Sequence, residues 1–80
     1  MAALEQAALN MAENVTRLCK GSGASIRSQA QLMGIGHSSL QRMMRGSENV
    51  TVRSVAAVAD HYGLSVAELL SGPEEVEADA

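Results

Sequence analysis

The chain has few of the residues that build catalytic or metal sites. Its 80 residues include one tyrosine, no tryptophan and no phenylalanine, so we expect a core of small aliphatic side chains and methionine. The single cysteine, Cys19, excludes an intrachain disulfide, and with His37 and His61 it gives too few and too scattered ligands for zinc. We find no nucleophile–base pair and no phosphate loop after a strand. The sequence therefore predicts no enzyme, no metal, no cofactor and no small-molecule ligand.

Long hydrophobic runs are also missing. No apolar stretch approaches the roughly 20 residues of a membrane span. The N-terminus lacks the basic segment and apolar run of a secretory signal. We therefore expect a cytoplasmic protein with no membrane partner.

Positive charge is scarce overall but concentrated in the middle of the chain. The net charge is −3, yet all six basic residues lie within 14–73, where three acidic residues oppose them. The flanking residues carry six acids and no base, and four of those acids lie in 74–80. Because salt screens charges beyond about 8 Å, the local positive excess permits contact with phosphates.

Apolar residues at helical spacing, together with helix-stop signals, predict an all-α domain over 1–73 with no strand. The unusually long first helix is expected at 2–19, with Gly21 as a left-handed cap. The remaining helices are expected at 26–33, 37–45 and 52–62, and a short fifth helix follows Ser65. The acidic segment 74–80 lacks bulky apolar residues apart from Val76, and we expect it to be disordered.

The second and third predicted helices are the most informative stretch. Residues 25–46 read SIRSQAQLMGIGHSSLQRMMRG, which is two short helices joined by a tight turn at Gly34 to Gly36. Leu40 and Met43 would pack the second of these helices onto the core, while its other face is polar. This layout is typical of a helix-turn-helix, whose second helix enters the major groove of DNA.

Residues 31–46, QLMGIGHSSLQRMMRG, and the later YGLSVAELL together resemble the DNA-binding domain of the lambda-repressor and Cro family over about 11–70. The resemblance implies a five-helix domain in which helices two and three form the helix-turn-helix. The chain departs from the family at Gln29, where an apolar residue is usual, and at Ile26, where Gln is frequent. We expect either that Gln29 bonds a backbone carbonyl or that helix two is rotated. An acid is also common at the position of Met44.

The resemblance also implies which residues meet DNA. Four polar residues on the third helix are expected to read bases, since Gln pairs with adenine and Arg with guanine. These residues are His37, Ser38, Gln41 and Arg42. Helix starts and the loop after the third helix are expected to hold phosphates, which orient the domain without reading sequence. The expected phosphate contacts are Ser25, Arg27, Ser28, Arg45, Asn49, Thr51 and Arg53.

The predicted function is that of a sequence-specific transcriptional regulator of double-stranded DNA, a phage or prophage repressor or Cro-like protein located at the nucleoid of a bacterial host. A bound homodimer would cover an operator, with two recognition helices about 34 Å apart in successive major grooves. Two surfaces are candidates for the dimer interface. The fifth helix offers Leu64, Val66, Leu69 and Leu70, and the first helix offers Leu4, Ala8 and Met11.

Two other functions fit the same fold. The domain could dock another protein, as an antitoxin or a phage factor that binds a host protein would. The sparse basic charge favours this alternative. A non-specific architectural DNA binder is the third reading, and it would tolerate changes in the four base-reading residues.

Overall fold

The computed structural model describes residues 2–72, and five α-helices account for most of them. The helices are α1 (Ala2–Ser22), α2 (Ile26–Met33), α3 (His37–Met44), α4 (Val52–His61) and α5 (Val66–Leu69). No strand occurs within residues 2–72. The predicted all-α, five-helix class is confirmed. The predicted acidic tail, residues 74–80, lies outside the described residues.

The end of α1 differs from the prediction. The helix continues through Gly21 to Ser22, and Gly23, at φ 75°, takes the left-handed conformation instead. The Ser22 hydroxyl donates to the Cys19 carbonyl at 3.0 Å and accepts from the Ala24 amide at 3.2 Å. The predicted stop at Gly21 was wrong because a glycine in the last turn is tolerated, and Ser22 supplies the hydrogen bonds that close the helix.

The core is aliphatic, as the missing aromatics require. Its most deeply buried large side chains include Met11, Val15, Leu40, Met43 and Val58. On α1, Met11 and Val15 lie at helical spacing and are buried, but Leu4 remains 50% exposed. The predicted inward face of α3 is also confirmed, because Leu40 and Met43 are fully buried.

The turn between α2 and α3 follows the local sequence. Ser25 caps α2, and its hydroxyl oxygen accepts from the Ser28 amide at 3.1 Å. Gly34 ends the helix at φ 76°, and its amide and that of Ile35 donate to carbonyls of the last turn. Left-handed backbone is cheap only for glycine, so Gly34 fixes the angle at which α3 leaves.

Gln29 explains how α2 packs without the usual apolar residue. Its side-chain amide donates to the carbonyls of Cys19 and Ala24, at 3.1 and 2.9 Å. Its carbonyl oxygen accepts from the Tyr62 hydroxyl at 2.7 Å. Of the two predicted alternatives, a bond to a backbone carbonyl is therefore the one that occurs. Gln29 joins the ends of α1, α2 and α4.

Two asparagines of α1 hold the short helix α5. Asn14 donates to the carbonyls of Leu69 and Ser71, at 2.8 and 3.0 Å, and Asn10 donates to that of Leu70 at 3.0 Å. A four-residue helix is unstable alone, and its last carbonyls lack partners within the helix. A capping box formed by Ser65 and Glu68 secures its other end.

Candidate nucleic-acid interface

Helix α3 presents two faces of opposite character. Leu40 and Met43 are fully buried against the other helices. Ser38 and Arg42 are exposed, and His37 and Gln41 are partly exposed. Because an α-helix turns about 100° per residue, these four polar side chains share the side of α3 that faces away from the core.

The four polar side chains on this face make no hydrogen bond or ion pair with other residues in 2–72. Buried polar atoms behave differently, because every buried side-chain nitrogen and oxygen in the described part of the chain has a partner. The four free polar side chains therefore lie on a helix, α3, that its buried residues hold in place. Such a face can donate and accept hydrogen bonds to the edges of base pairs without first losing internal ones.

The start of α3 is also open. Its N-cap residue, Gly36, has no side chain, and no side-chain cap bonds the first turn. The first amides of a helix point along its axis and carry a partial positive charge. This end of α3 therefore favours an anion beside His37 and Ser38.

The predicted phosphate contacts divide into two groups. Ser25 and Thr51 already serve as N-caps of α2 and α4, with hydroxyl oxygens that accept from the amides of Ser28 and Ser54. Their contribution to phosphate binding would come through exposed helix N-termini. The other predicted phosphate residues are all exposed at the surface, and Arg45 among them is the C-cap of α3. The exposed side chains are those of Arg27, Ser28, Arg45, Asn49 and Arg53.

The predicted dimer candidates are placed unequally. Ala8, Met11 and Leu69 are buried within the single chain, at 6%, 2% and 0% exposure, so their side chains offer little surface to a partner. The remaining four candidates retain accessible surface. They are Leu4, Leu64, Val66 and Leu70.

Two further cations lie on α1 near the end of α3. Arg17 and Lys20, with Thr16, border a shallow depression of about 490 Å³ that Met44 closes from the α3 side. Arg17 also donates to the Asn14 side chain at 3.1 Å. Sequence reasoning did not select these cations, although their spacing of three residues on one helix was a usable signal.

Neither a metal cluster nor a membrane span is found among residues 2–72. No three His, Cys, Asp or Glu side chains in that part gather around one point. None of the five helices is both long and apolar enough to cross a bilayer.

Comparison with known proteins places this geometry in a family. A family model described as a helix-turn-helix domain matches residues 10–71, which include α2 to α5 and most of α1. No curated protein and no solved structure gives a significant match. The match covers more than half of the chain and contains the whole polar face of α3. The chain belongs to the helix-turn-helix DNA-binding domain family, in the five-helix form that the lambda-repressor-like domains share.

Proposed function

We propose that the chain is a transcriptional regulator that recognises a specific site in double-stranded DNA and acts by occupying an operator. The observation that carries the proposal is the polar face of α3, where four side chains have no hydrogen-bond partner within residues 2–72 and lie on a helix fixed by Leu40 and Met43. The family match supports DNA as the ligand.

In this proposal α3 lies in the major groove and reads bases. Gln41 would bond adenine in bidentate fashion and Arg42 would bond guanine, each contributing roughly 1–3 kcal/mol of discrimination. His37 and Ser38 would contact bases or the adjoining backbone at the open start of α3. The exposed arginines, including Arg45 and Arg53, would hold phosphates and set the register of α3 in the groove.

The mechanism of regulation would be steric. Two copies would bind half-sites related by a two-fold axis, with their α3 helices about 34 Å apart, and would exclude polymerase from an overlapping promoter. This is how a phage or prophage repressor or a Cro-like protein would act, and it requires a homodimer on DNA. A bacterial host would place the bound protein at the nucleoid.

Selection from a random-sequence duplex library tests this proposal. We expect enrichment of a motif with two half-sites, and retention that falls steeply as salt rises from 50 to 200 mM, since bound phosphates release counterions. A variant with Ala at the four base-reading positions should bind without preference. If the wild-type chain retains no duplex even at 50 mM salt, operator binding is excluded.

A protein-docking module is the second candidate. The net charge of −3 and the presence of only six basic residues favour it. The same selection separates the candidates, because a docking module would enrich no duplex sequence. A non-specific architectural binder would retain DNA but lose affinity equally for all sequences when the four residues are changed.

A further inference from the structure

Two exposed cations on α1 have no acidic partner within residues 2–72. Arg17 and Lys20 are three residues apart and therefore share one face of the helix. The guanidinium of Arg17 donates to the Asn14 side chain at 3.1 Å and to no carboxylate of the described residues. Both cations border the depression of about 490 Å³ beside α3, where Glu13 is the single acid in the lining. This face of α1 therefore presents two positive charges against one negative charge.

The chain leaves α5 beside the same face of α1. Asn14 donates to the Ser71 carbonyl at 3.0 Å, and its side-chain oxygen accepts the hydrogen bond from Arg17. Gly72 lies against Asn10, whose side-chain oxygen is 3.2 Å from the position that a Cβ at Gly72 would take. Because Asn10, Asn14 and Arg17 follow the spacing i, i+4 and i+7, they lie on one side of the helix. The last described residues thus contact the side of α1 that carries Arg17.

The residues that come next have the complementary charge. The acidic segment 74–80 reads EEVEADA and contains four carboxylates and no basic residue. It follows Gly72 after one proline. A short connection of this kind gives an intramolecular ligand an effective concentration on the order of millimolar. The acidic segment is therefore the nearest abundant source of carboxylates for the cations of α1.

The distances allow the contact. Arg17 follows Asn10 by seven residues, which is about 10 Å along the axis of an α-helix. Glu75 follows Gly72 by three residues, and an extended chain of that length also covers about 10 Å. Glu75 can therefore reach Arg17 from the point at which the chain leaves Asn10.

The spacing of the charges also agrees. Residues i and i+2 of an extended segment point to the same side and are about 6.6 Å apart. Residues i and i+3 of a helix have Cβ atoms about 5–6 Å apart. We infer that the acidic segment docks on α1, with Glu75 paired to Arg17 and Glu77 paired to Lys20.

The docked contact is weak and sensitive to salt. Exposed ion pairs contribute little individually, and ions screen them strongly as the salt concentration rises. Glu13 on the rim of the depression opposes the carboxylates and lowers the occupancy further. The contact is therefore populated at low salt and lost at high salt.

Docking would place negative charge beside the helix proposed to read DNA. Met44 lines the same depression as Arg17 and Lys20, and it follows Gln41 on α3 by three residues. The docked carboxylates would repel phosphates and keep the cations of α1 from them, so the segment lowers the affinity for duplex DNA. This consequence rests on the proposed function, whereas the contact itself does not.

Paramagnetic broadening in the full-length chain tests the contact without DNA. A nitroxide is attached at Ala78→Cys, because the natural Cys19 thiol is buried and protected from labelling. At about 50 mM salt we expect the label to broaden the backbone amide signals of residues 13–20. At about 500 mM salt the broadening should fall, since the Debye length shortens to a few ångströms.

Three labelled variants identify the groups responsible. The first replaces every acid of the segment by its amide, through Glu74→Gln, Glu75→Gln, Glu77→Gln and Asp79→Asn. The second combines Arg17→Gln with Lys20→Gln, which keeps helix propensity. We expect each of these variants to reduce the broadening at residues 13–20 at least about twofold. The matched control removes the same amount of charge elsewhere, through Arg27→Gln with Arg53→Gln, and should leave the broadening unchanged.

Two outcomes overturn the inference. One is equal broadening of residues 13–20 in the wild-type chain and in the amide variant, because the carboxylates would then have no part in it. The other is broadening that survives in the Arg17→Gln, Lys20→Gln chain. Thermal melts establish that this chain folds, and the amide variant changes only residues outside 2–72.

Affinity for a random-sequence duplex tests the consequence separately. At about 50 mM salt the amide variant should bind roughly 3- to 10-fold more tightly than the wild-type chain, which is the effect of two exposed ion pairs. The same change should have little effect when Arg17→Gln and Lys20→Gln are already present. An equal gain in both backgrounds would mean that the segment acts by general repulsion, and would contradict docking as its cause. A chain that binds no duplex contradicts the proposed function and leaves the contact to the broadening experiment.

Discussion

Gln29 and Gln41 are the same amino acid on neighbouring helices, and their environments are opposite. Gln29 is 2% exposed and uses both ends of its amide, donating to two backbone carbonyls and accepting from the Tyr62 hydroxyl. Gln41 is partly exposed and makes no side-chain hydrogen bond within residues 2–72. The first is fully occupied inside the fold, and the second is free to bond a ligand.

The difference separates polar residues that hold the fold together from those that we propose to bind DNA. Burying an amide without a partner costs roughly 1–3 kcal/mol, so a buried glutamine must be bonded. Asn10 and Asn14 follow the same rule where they hold α5. A polar side chain at the surface has no such requirement, and the four on the outer face of α3 are therefore the ones that we propose as the DNA-binding surface.

The largest expected effect comes from breaking the support under Gln41. Leu40 is the adjacent residue and is fully buried. Leu40→Lys places an unpaired charge in the core, at a cost of about 5 kcal/mol or more, comparable to the whole stability of a small domain. We expect no cooperative thermal transition in circular dichroism.

Gln41→Lys is the matched control, one residue away on the exposed side. It should leave the melting temperature within about 3 °C, because a surface change alters stability by less than about 0.5 kcal/mol. A cooperative melt for Leu40→Lys would contradict the assignment of Leu40 to the core.

The next effect compares the two glutamines directly. Gln29→Ala removes the hydrogen bonds of Gln29 to the Cys19 and Ala24 carbonyls and to the Tyr62 hydroxyl, so we expect the free energy of unfolding to fall by about 3 kcal/mol. Gln41→Ala should change it by less than about 0.5 kcal/mol. Urea denaturation measures both, and equal effects from the two changes would break the comparison.

The smallest expected effect is a change of stability with pH, caused by Tyr62, whose hydroxyl donates to Gln29. Burial, and then the nearby Cys19 thiol, raise the pKa of Tyr62 well above its usual 10. Above pH 10 the unfolded chain loses this proton and the folded chain keeps it, so the free energy of unfolding falls as pH rises. The stabilisation that the protonated Tyr62 hydroxyl gives the fold is fully present below pH 10 and is lost at higher pH. The slope cannot exceed about 1.4 kcal/mol per pH unit, because only one proton is involved.

Tyr62→Phe provides the reference for this effect. The difference in unfolding free energy between the wild-type chain and this variant should shrink from pH 9 to pH 11 in urea titrations. A difference that stays constant over that range would mean that Tyr62 titrates alike in the folded and unfolded chain.

Local sequence signals predicted the helices well where caps and glycines punctuate them. The limits of α2 at Ile26 and Met33 follow from the Ser25 cap and from Gly34, and both agree with the structure. The end of α1 was missed because Gly21 and Gly23 are equally good stops in the sequence, and the hydrogen bonds of Ser22 decide between them.

Hydrogen bonds between residues far apart in the chain could not be predicted from local sequence patterns. Asn10 and Asn14 bond carbonyls 55 to 60 residues away, and the sequence contains no pattern that pairs them. For Gln29 the sequence left two alternatives open, and the bonds of its amide to the Cys19 and Ala24 carbonyls decide between them. The base-reading roles of His37, Ser38, Gln41 and Arg42 stay predictions, since they depend on a ligand outside the chain.

Gln41 offers the most direct test of the central claim. The affinity of the wild-type chain and of Gln41→Ala is measured for the selected operator and for each of its single-base variants at fixed salt. We expect Gln41→Ala to lose about 10- to 100-fold in affinity for the operator, to lose discrimination at one base pair in each half-site, and to keep its stability. A variant that keeps the full base preference of the wild-type chain would contradict the claim that the polar face of α3 reads DNA.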